Sequence, residues 1–257
     1  MDKERVKLYF ERIGLEMPKE IVPDAALLKK LLYHNIIRIP YENTQFLKRE
    51  LIPCDTDRLF QRIVVERKGG ICHDVNGLFG WCLEELGYRV VPVGTVSLSE
   101  KIRTHVHKTL IVTDIDGNEW LTEAAYAPNF SCKEPIRFIP GLEQSFGDET
   151  FRIEKRDGKL FLIGPSDAAS FRLEYWNITP EIGMRIKELT IEGNDPAGSV
   201  RRMMSIGTPE GRRTLFGMTY REYFGSMRYS YECTPETLPW AYAQFGLPYE
   251  EVGKETV

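Results

Sequence analysis

Apolar residues recur at helical spacing through the first third of the chain and in alternating or short runs through the middle, so the hydrophobic period alone divides the molecule. Val6, Phe10 and Ile13 share one face of a helix over residues 3–13. Asp24, just after Pro23, is placed to cap a second helix to about Asn35, with Leu27, Leu28, Leu31 and Leu32 inward and His34 structural. Asp55 or Thr56 caps a third, whose apolar face is Leu59, Phe60, Ile63 and Val64 and which Gly69 is expected to end. The next helix starts at Cys72, carries Val75, Leu78, Phe79, Cys82, Leu83 and Leu86 at helical spacing, and is closed by Gly87.

From Tyr88 the texture becomes that of strands: Arg89–Ser97, Val106–Thr113, Glu119–Tyr126, Phe151–Arg156, Leu160–Ile163 and Phe171–Trp176. Asp116-Gly117 and Asp157-Gly158 mark hairpin turns, and Ser145–Glu149 reads as loop. Pro180–Leu189 predicts a helix with Ile182, Ile186 and Leu189 aligned, and the Gly, Asn, Asp and Pro of Glu192–Ser199 mark a boundary. Beyond it lie a strand at Thr214–Tyr220 and a last helix opened by Thr234 and Pro235 that runs to about Phe245 before Gly246. The expected class is α+β: a helical part at residues 1–87, a central antiparallel β-sheet or barrel at 88–192, and a smaller mixed α/β lid at 193–257.

Composition narrows the function classes. The chain has 257 residues and a net charge of −4, with no basic run of the kind that nucleic-acid binding needs. No apolar stretch is long enough to span a bilayer and the first residues do not read as a signal peptide, so no membrane partner and a cytoplasmic location are expected. Cys54, Cys72, Cys82, Cys132 and Cys233 lack paired spacing, which points to free thiols in a reducing compartment. The cluster Arg201, Arg202, Arg212 and Arg213 reads as a solvated face or as a contact for phosphates.

One of the cysteines is placed for chemistry. Cys72 follows Gly69-Gly70, whose backbone freedom suits a tight turn, and it opens a helix whose N-terminal amides and dipole favour a thiolate. His107 and Glu123 lie on neighbouring predicted strands, so nucleophile, base and orienting carboxylate occur in that order along the chain. Taken singly, Cys72 also fits an inert buried thiol.

Three blocks carry a likeness to a known family. Ile39-Pro40-Tyr41-Glu42-Asn43, Arg67 through Asn76, and His107-Lys-Thr-Leu-Ile-Val with Trp120-Leu-Thr-Glu-Ala-Ala-Tyr resemble, in order and spacing, the arylamine N-acetyltransferases. The resemblance covers about the first half of the chain. It implies a cysteine-protease or transglutaminase-like core in three parts, and acetyl-CoA as donor to an arylamine or arylhydrazine. It also implies a Cys72, His107 and Glu123 triad, with Tyr41 and Tyr126 as aromatic walls of the acceptor pocket. The chain departs from the family at Glu123, where Asp is usual, at His73-Asp74 in place of Phe-Glu, and at Ala125 and Ala127 in place of glycines. Coenzyme A contacts are not identified.

Other chemistries use the same residues. Cys72, His73, His105 and His107 are possible zinc ligands, although no Cys-x-x-Cys or His-Glu-x-x-His spacing accompanies them, so no metal is expected. Transglutaminase-like amidases or peptidases, and amide synthases, resemble the chain in the same Cys, His, carboxylate order. A binding module that retained the pocket would show no acyl-cysteine with any donor.

Overall fold

The computed structural model describes residues 1–97, 106–125, 132–164, 169–192 and 201–252. The first helix, α1 (Lys3–Ile13), is capped by Asp2, and α2 (Ala25–Arg38) by Asp24, whose carboxylate accepts the Leu27 N–H at 2.7 Å. His34 is structural, with Nδ1 at 3.3 Å from the Ile13 carbonyl. After the two-residue strand β1 (Tyr41–Glu42) and the single turn α3 (Thr44–Leu47), α4 (Thr56–Phe60) runs into a π-helical turn at Gln61–Val65. That turn, rather than Gly69, ends the helix, and Arg67 then adopts the left-handed conformation at φ 57°. Helix α5 (Cys72–Glu85) completes the helical part. Val6, Tyr9, Phe10, Leu28, Leu31, Ile63, Val75, Phe79 and Leu83 belong to one buried cluster that these helices share.

Gly69 and Gly70 serve close approach rather than unusual backbone angles. A Cβ on Gly69 would lie 2.2 Å from the Pro40 carbonyl oxygen, and one on Gly70 2.6 Å from the Asp74 Cβ. The turn before Cys72 is thereby pressed against the Pro40-Tyr41-Glu42 segment and the start of α5.

The central strands form one antiparallel sheet of eight, in the order β5, β4, β3, β2, β9, β8, β7, β6. They are β2 (Arg89–Ser97), β3 (Val106–Thr113), β4 (Glu119–Thr122), β5 (Ile136–Arg137), β6 (Glu143–Phe146), β7 (Glu149–Arg156), β8 (Lys159–Ile163) and β9 (Ala169–Asn177). The expected loop at Ser145–Glu149 is instead the end of β6, a turn at Gly147-Asp148 and the start of β7. The strands at the two ends of the sheet, β5 and β6, form no ladder with each other; the Gln144 amide accepts the Arg137 N–H at 2.6 Å and donates to the Arg137 carbonyl at 3.1 Å. Strand β4 stops at Thr122, so Glu123 stands just past a strand end rather than within one.

Helix α6 (Pro180–Ile191) forms where expected but is turned by one residue. Its buried positions are Gly183, Lys187 and Thr190, while Ile182 is 40% exposed. A buried lysine partnered across the fold outweighs the apolar pattern. The predicted strand Thr214–Tyr220 is a hairpin: β10 (Met203–Gly207), β11 (Gly211–Phe216), β12 (Thr219–Phe224) and β13 (Met227–Glu232) follow β1 in a second antiparallel sheet, and Gly217-Met218 is a turn. The last helix, α7 (Leu238–Ala243), begins four residues later than Thr234 would place it. The arginines do not make one solvated face: Arg202 is buried with Nε donating to the Tyr242 hydroxyl at 2.9 Å, and Arg213 pairs with Glu222 at 2.7 Å. Among the described residues no helix is long and apolar enough to cross a membrane, and no group of three or more His, Cys, Asp or Glu is disposed to hold a metal ion. The boundary segment 193–200 lies outside the described residues.

Candidate active site

Cys72 is the first residue of α5, and the helix start is built without a side-chain cap at Ile71. Asp74 supplies what the cap does not: its carboxylate accepts the Ile71 N–H at 3.1 Å, a Gln45 amide N–H at 2.8 Å, and the Lys187 ammonium, with both members of that ion pair fully buried. Lys187 also donates to the Ile52 carbonyl at 2.7 Å, so α6 is tied to the turn that presents the cysteine. On the other side, the buried Arg62 guanidinium donates to the Gly69 carbonyl at 3.0 Å and pairs with Glu42. Glu42 in turn accepts the Thr44 N–H at 2.7 Å. The Tyr41-Glu42-Asn43 block thus braces the glycine turn.

His107 stands on β3 opposite Thr95 of β2, and the Thr95 hydroxyl donates to the His107 carbonyl at 3.2 Å. Its Nε2 bonds the Glu123 carboxylate, and the ring also hydrogen-bonds Cys72, which leaves Nδ1 as the atom facing sulfur. Glu123 takes two further donors on its other oxygen, the Asn76 amide at 2.7 Å and the Ala125 N–H at 3.0 Å. Asn76 is one turn along α5 from Cys72, donates also to the Lys108 carbonyl at 2.7 Å, and accepts the Ala124 N–H at 2.9 Å. One helix therefore carries the thiol and also fixes the carboxylate. Further back, Asn35 of α2 donates to the Ala124 carbonyl at 3.1 Å and accepts the Tyr9 hydroxyl.

Cys72, His107 and Glu123 are 1%, 6% and 4% exposed, so their mutual interactions act with little screening by water. Behind the His107–Glu123 pair, Thr95, Thr109, Leu121, Leu162 and Leu173 enclose a void of only about 10 Å³. That is at most the space of one water, so the pair is sealed on that side. Burial alone would favour neutral imidazole, but the charges of Glu123 and Cys72 and the hydrogen bonds to both hold the His107 pKa well above its ordinary value. An imidazolium against sulfur favours thiolate. The other cysteines are unsuited to that state: burial raises Cys54, Cys82 and Cys233, and pushes Cys132 up to about 12.

The structure brings together the three residues read from the sequence. Tyr41 is half-buried beside them, its phenol raised by burial first and then by the charges of Cys72, Asp74, Glu42 and Glu123. His73, the next residue of α5, lies against Gly183 of α6. Tyr126 and His105 lie outside the described residues. Asn76, Gln45, Arg62 and Lys187 were not singled out by pattern, although Asn76 is four residues beyond Cys72 and so shares its helix face.

The family model for N-acetyltransferase matches residues 24–178, which span the cysteine, histidine and carboxylate together. The chain belongs to the arylamine N-acetyltransferase family. It is 27% identical to the mouse arylamine N-acetyltransferase 2 over 160 residues, 61% of this chain and 55% of that relative. It is 30% identical to the proansamycin X synthase of Amycolatopsis mediterranei (strain S699) over 158 residues, 60% of each chain. The matches thus span little more than half the length of these curated relatives. In fold it is similar to an arylamine N-acetyltransferase from Bacillus cereus, described as having a Cys-His-Glu catalytic triad, with a TM-score of 0.83 at 17% identity over 96% of this chain and 99% of that one.

Proposed function

We propose that this chain transfers an acetyl group from acetyl-CoA to an arylamine or arylhydrazine by a ping-pong route through acetyl-Cys72. The observation that carries the reading is the buried Cys72–His107–Glu123 relay in a member of this family. In the first half-reaction the Cys72 sulfur, its proton held on His107 Nδ1, attacks the thioester carbonyl, and the negative charge moves to oxygen. Backbone N–H groups near Cys72 stabilise that oxyanion. Collapse expels coenzyme A as a thiolate that takes the His107 proton. In the second half-reaction the amine attacks acetyl-Cys72, His107 removes the proton from nitrogen, and the sulfur leaves. Glu123 keeps Nε2–H oriented and stabilises the imidazolium at both steps.

Tyr41 forms one wall of the acceptor pocket, and residues 193–257 act as a lid over a site shared by the segments 1–87 and 88–192. The likeness to proansamycin X synthase supports a second reading, an amide synthase in which the same relay handles a longer acyl chain. Intact-mass measurement after mixing with acetyl-CoA tests the first reading. One acetyl group appears on the wild type, is absent from Cys72→Ala, and is discharged by an added arylamine. No adduct, or an adduct that survives in Cys72→Ala, overturns it, and an adduct formed only from longer acyl thioesters selects the synthase.

A further inference from the structure

The second sheet ends on β13, whose six residues, Met227–Glu232, are all exposed. Proteins ordinarily blunt a free edge with proline, a bulge, repeated like charge or a cover. Here there is no proline, the register with β12 runs unbroken from Thr219↔Glu232 to Phe224↔Met227, and the two charges, Arg228 and Glu232, are of opposite sign. Phe224 and Met227 flank a two-residue turn, Gly225-Ser226, and such a flanking pair is hydrogen-bonded. Alternation then assigns the ladder bonds with β12 to Met227, Tyr229 and Tyr231, and aims the backbone N–H and C=O of Arg228, Ser230 and Glu232 at the open side.

We propose that β13 is the contact strand of a homodimer, in which two copies pair antiparallel about a twofold axis at Ser230. Of the twofold registers, only that one sets opposite charges directly across from each other. Centred on Ser230, Arg228 of each copy lies opposite Glu232 of the other, and Tyr229 opposite Tyr231. Centred on Arg228 or on Glu232, the other outward-facing positions, like charges would meet directly, which is unfavourable. The three outward-facing residues then exchange backbone hydrogen bonds with their counterparts, joining the two five-stranded sheets.

The aromatic face gives the second copy something to cover. Tyr220, Tyr229, Tyr231 and Trp240 line a groove of about 470 Å³, with Trp240 edge-on to Tyr220 at 5.0 Å and to Tyr231 at 5.7 Å. Met227, Tyr229 and Trp240 are 59%, 61% and 47% exposed, a concentration of apolar surface that a lone domain rarely leaves uncovered. In the dimer Tyr229 of one copy lies against Tyr231 of the other and extends the Trp240 stack across the axis. Six strand residues a side are few beside the roughly 20–30 of a standard interface, so the dimer forms with rising concentration rather than permanently.

Sedimentation velocity from micromolar to several hundred micromolar protein tests this. The wild type should pass from monomer to dimer. Arg228→Glu or Glu232→Arg should each weaken association about tenfold or more, and the double exchange should restore it. Glu232 also accepts the Thr219 hydroxyl at 2.9 Å, which makes Arg228→Glu the cleaner single change. Ser230→Pro should leave only monomer with an unchanged circular dichroism spectrum, because its N–H faces away from β12. A wild type that stays monomeric throughout, as it would if the edge takes another protein's strand, overturns the proposal. So does a dimer that ignores the charge reversals or persists in Ser230→Pro. Neither result bears on the acetyl transfer proposed above.

Discussion

At the scale of single residues the most exposed substitution is Glu123, because the family's usual Asp is shorter by a methylene. Its carboxylate is held from three sides, by His107, by Asn76 at 2.7 Å and by the Ala125 N–H at 3.0 Å. Glu123→Gln keeps the volume but cannot balance the imidazolium, so the rate of Cys72 acetylation in rapid-quench experiments should fall by a factor on the order of 10⁴. Glu123→Asp should fall between Gln and wild type, since the backbone around it is anchored for the longer reach. Wild-type rates in Glu123→Gln would remove it from the triad, and Asp74 is not its substitute, being committed to Lys187, Gln45 and Ile71. The raised pKa of His107 also fixes the sign of a pH effect. A group raised on folding contributes its full stability below its ordinary value of about 6.5 and loses it as pH climbs through the folded value. In urea unfolding, wild type should therefore exceed His107→Gln most near pH 6, and the gap should shrink toward alkaline pH; a gap that widens would reverse the assignment. Cys72, His107 and Glu123 were legible in the sequence because each is marked locally, by a glycine turn, a strand run or a hairpin. Asn76 was not, because an asparagine's role depends on what the fold sets opposite it.

At the scale of elements, strands β2 and β3 could be read to the residue from their apolar runs, whereas α6 could be located but not oriented. Its pattern favours Ile182, Ile186 and Leu189 inward, yet the buried stripe is Gly183, Lys187 and Thr190, because Lys187 finds Asp74 on α5 and the Ile52 carbonyl. Likewise, the β11–β12 turn at Gly217-Met218 lacks the Asp-Gly signature that revealed the turns at Gly117 and Gly158, so two strands read as one. The α5–α6 ion pair makes a strong test. Lys187→Met strands a buried carboxylate at the helix start that carries Cys72, and loss of one partner of such a pair costs about 3–5 kcal/mol. Chemical denaturation should show a loss of that size, and the double variant Asp74→Asn with Lys187→Met should recover much of it. If Lys187→Met alone is neutral, the ion pair does not organise the helix start.

At the scale of the whole molecule, three buried clusters have to be held in register, and the helical part contributes one short strand to the second sheet while α2 packs against β10, with Ile36 against Gly207. Strand β1 pairs Tyr41 with Ser205 and Glu42 with Met204, bringing together residues far apart in the chain. No local period announces such a two-residue strand, which is why the sequence blocks around it carried a family likeness without disclosing its structural task. Asn43 completes the junction: its amide donates to the Arg201 carbonyl at 2.8 Å and accepts the Met203 N–H at 2.8 Å, while its own N–H donates to the Met203 carbonyl at 3.2 Å. Asn43→Ala removes both side-chain bonds and leaves the half-buried Met203 N–H and the Arg201 C=O of an exposed residue without them, at a cost of about 0.5–1.5 kcal/mol for each bond lost. That loss should fall on the junction and not on the cores. Hydrogen exchange should therefore quicken first at β10, next to the break, and then at β11, while α2 and α5 keep their protection. Equal loss of protection in the helical cluster would mean that the two sheets and the helices open as one cooperative unit, and that Asn43 is only one bond among many.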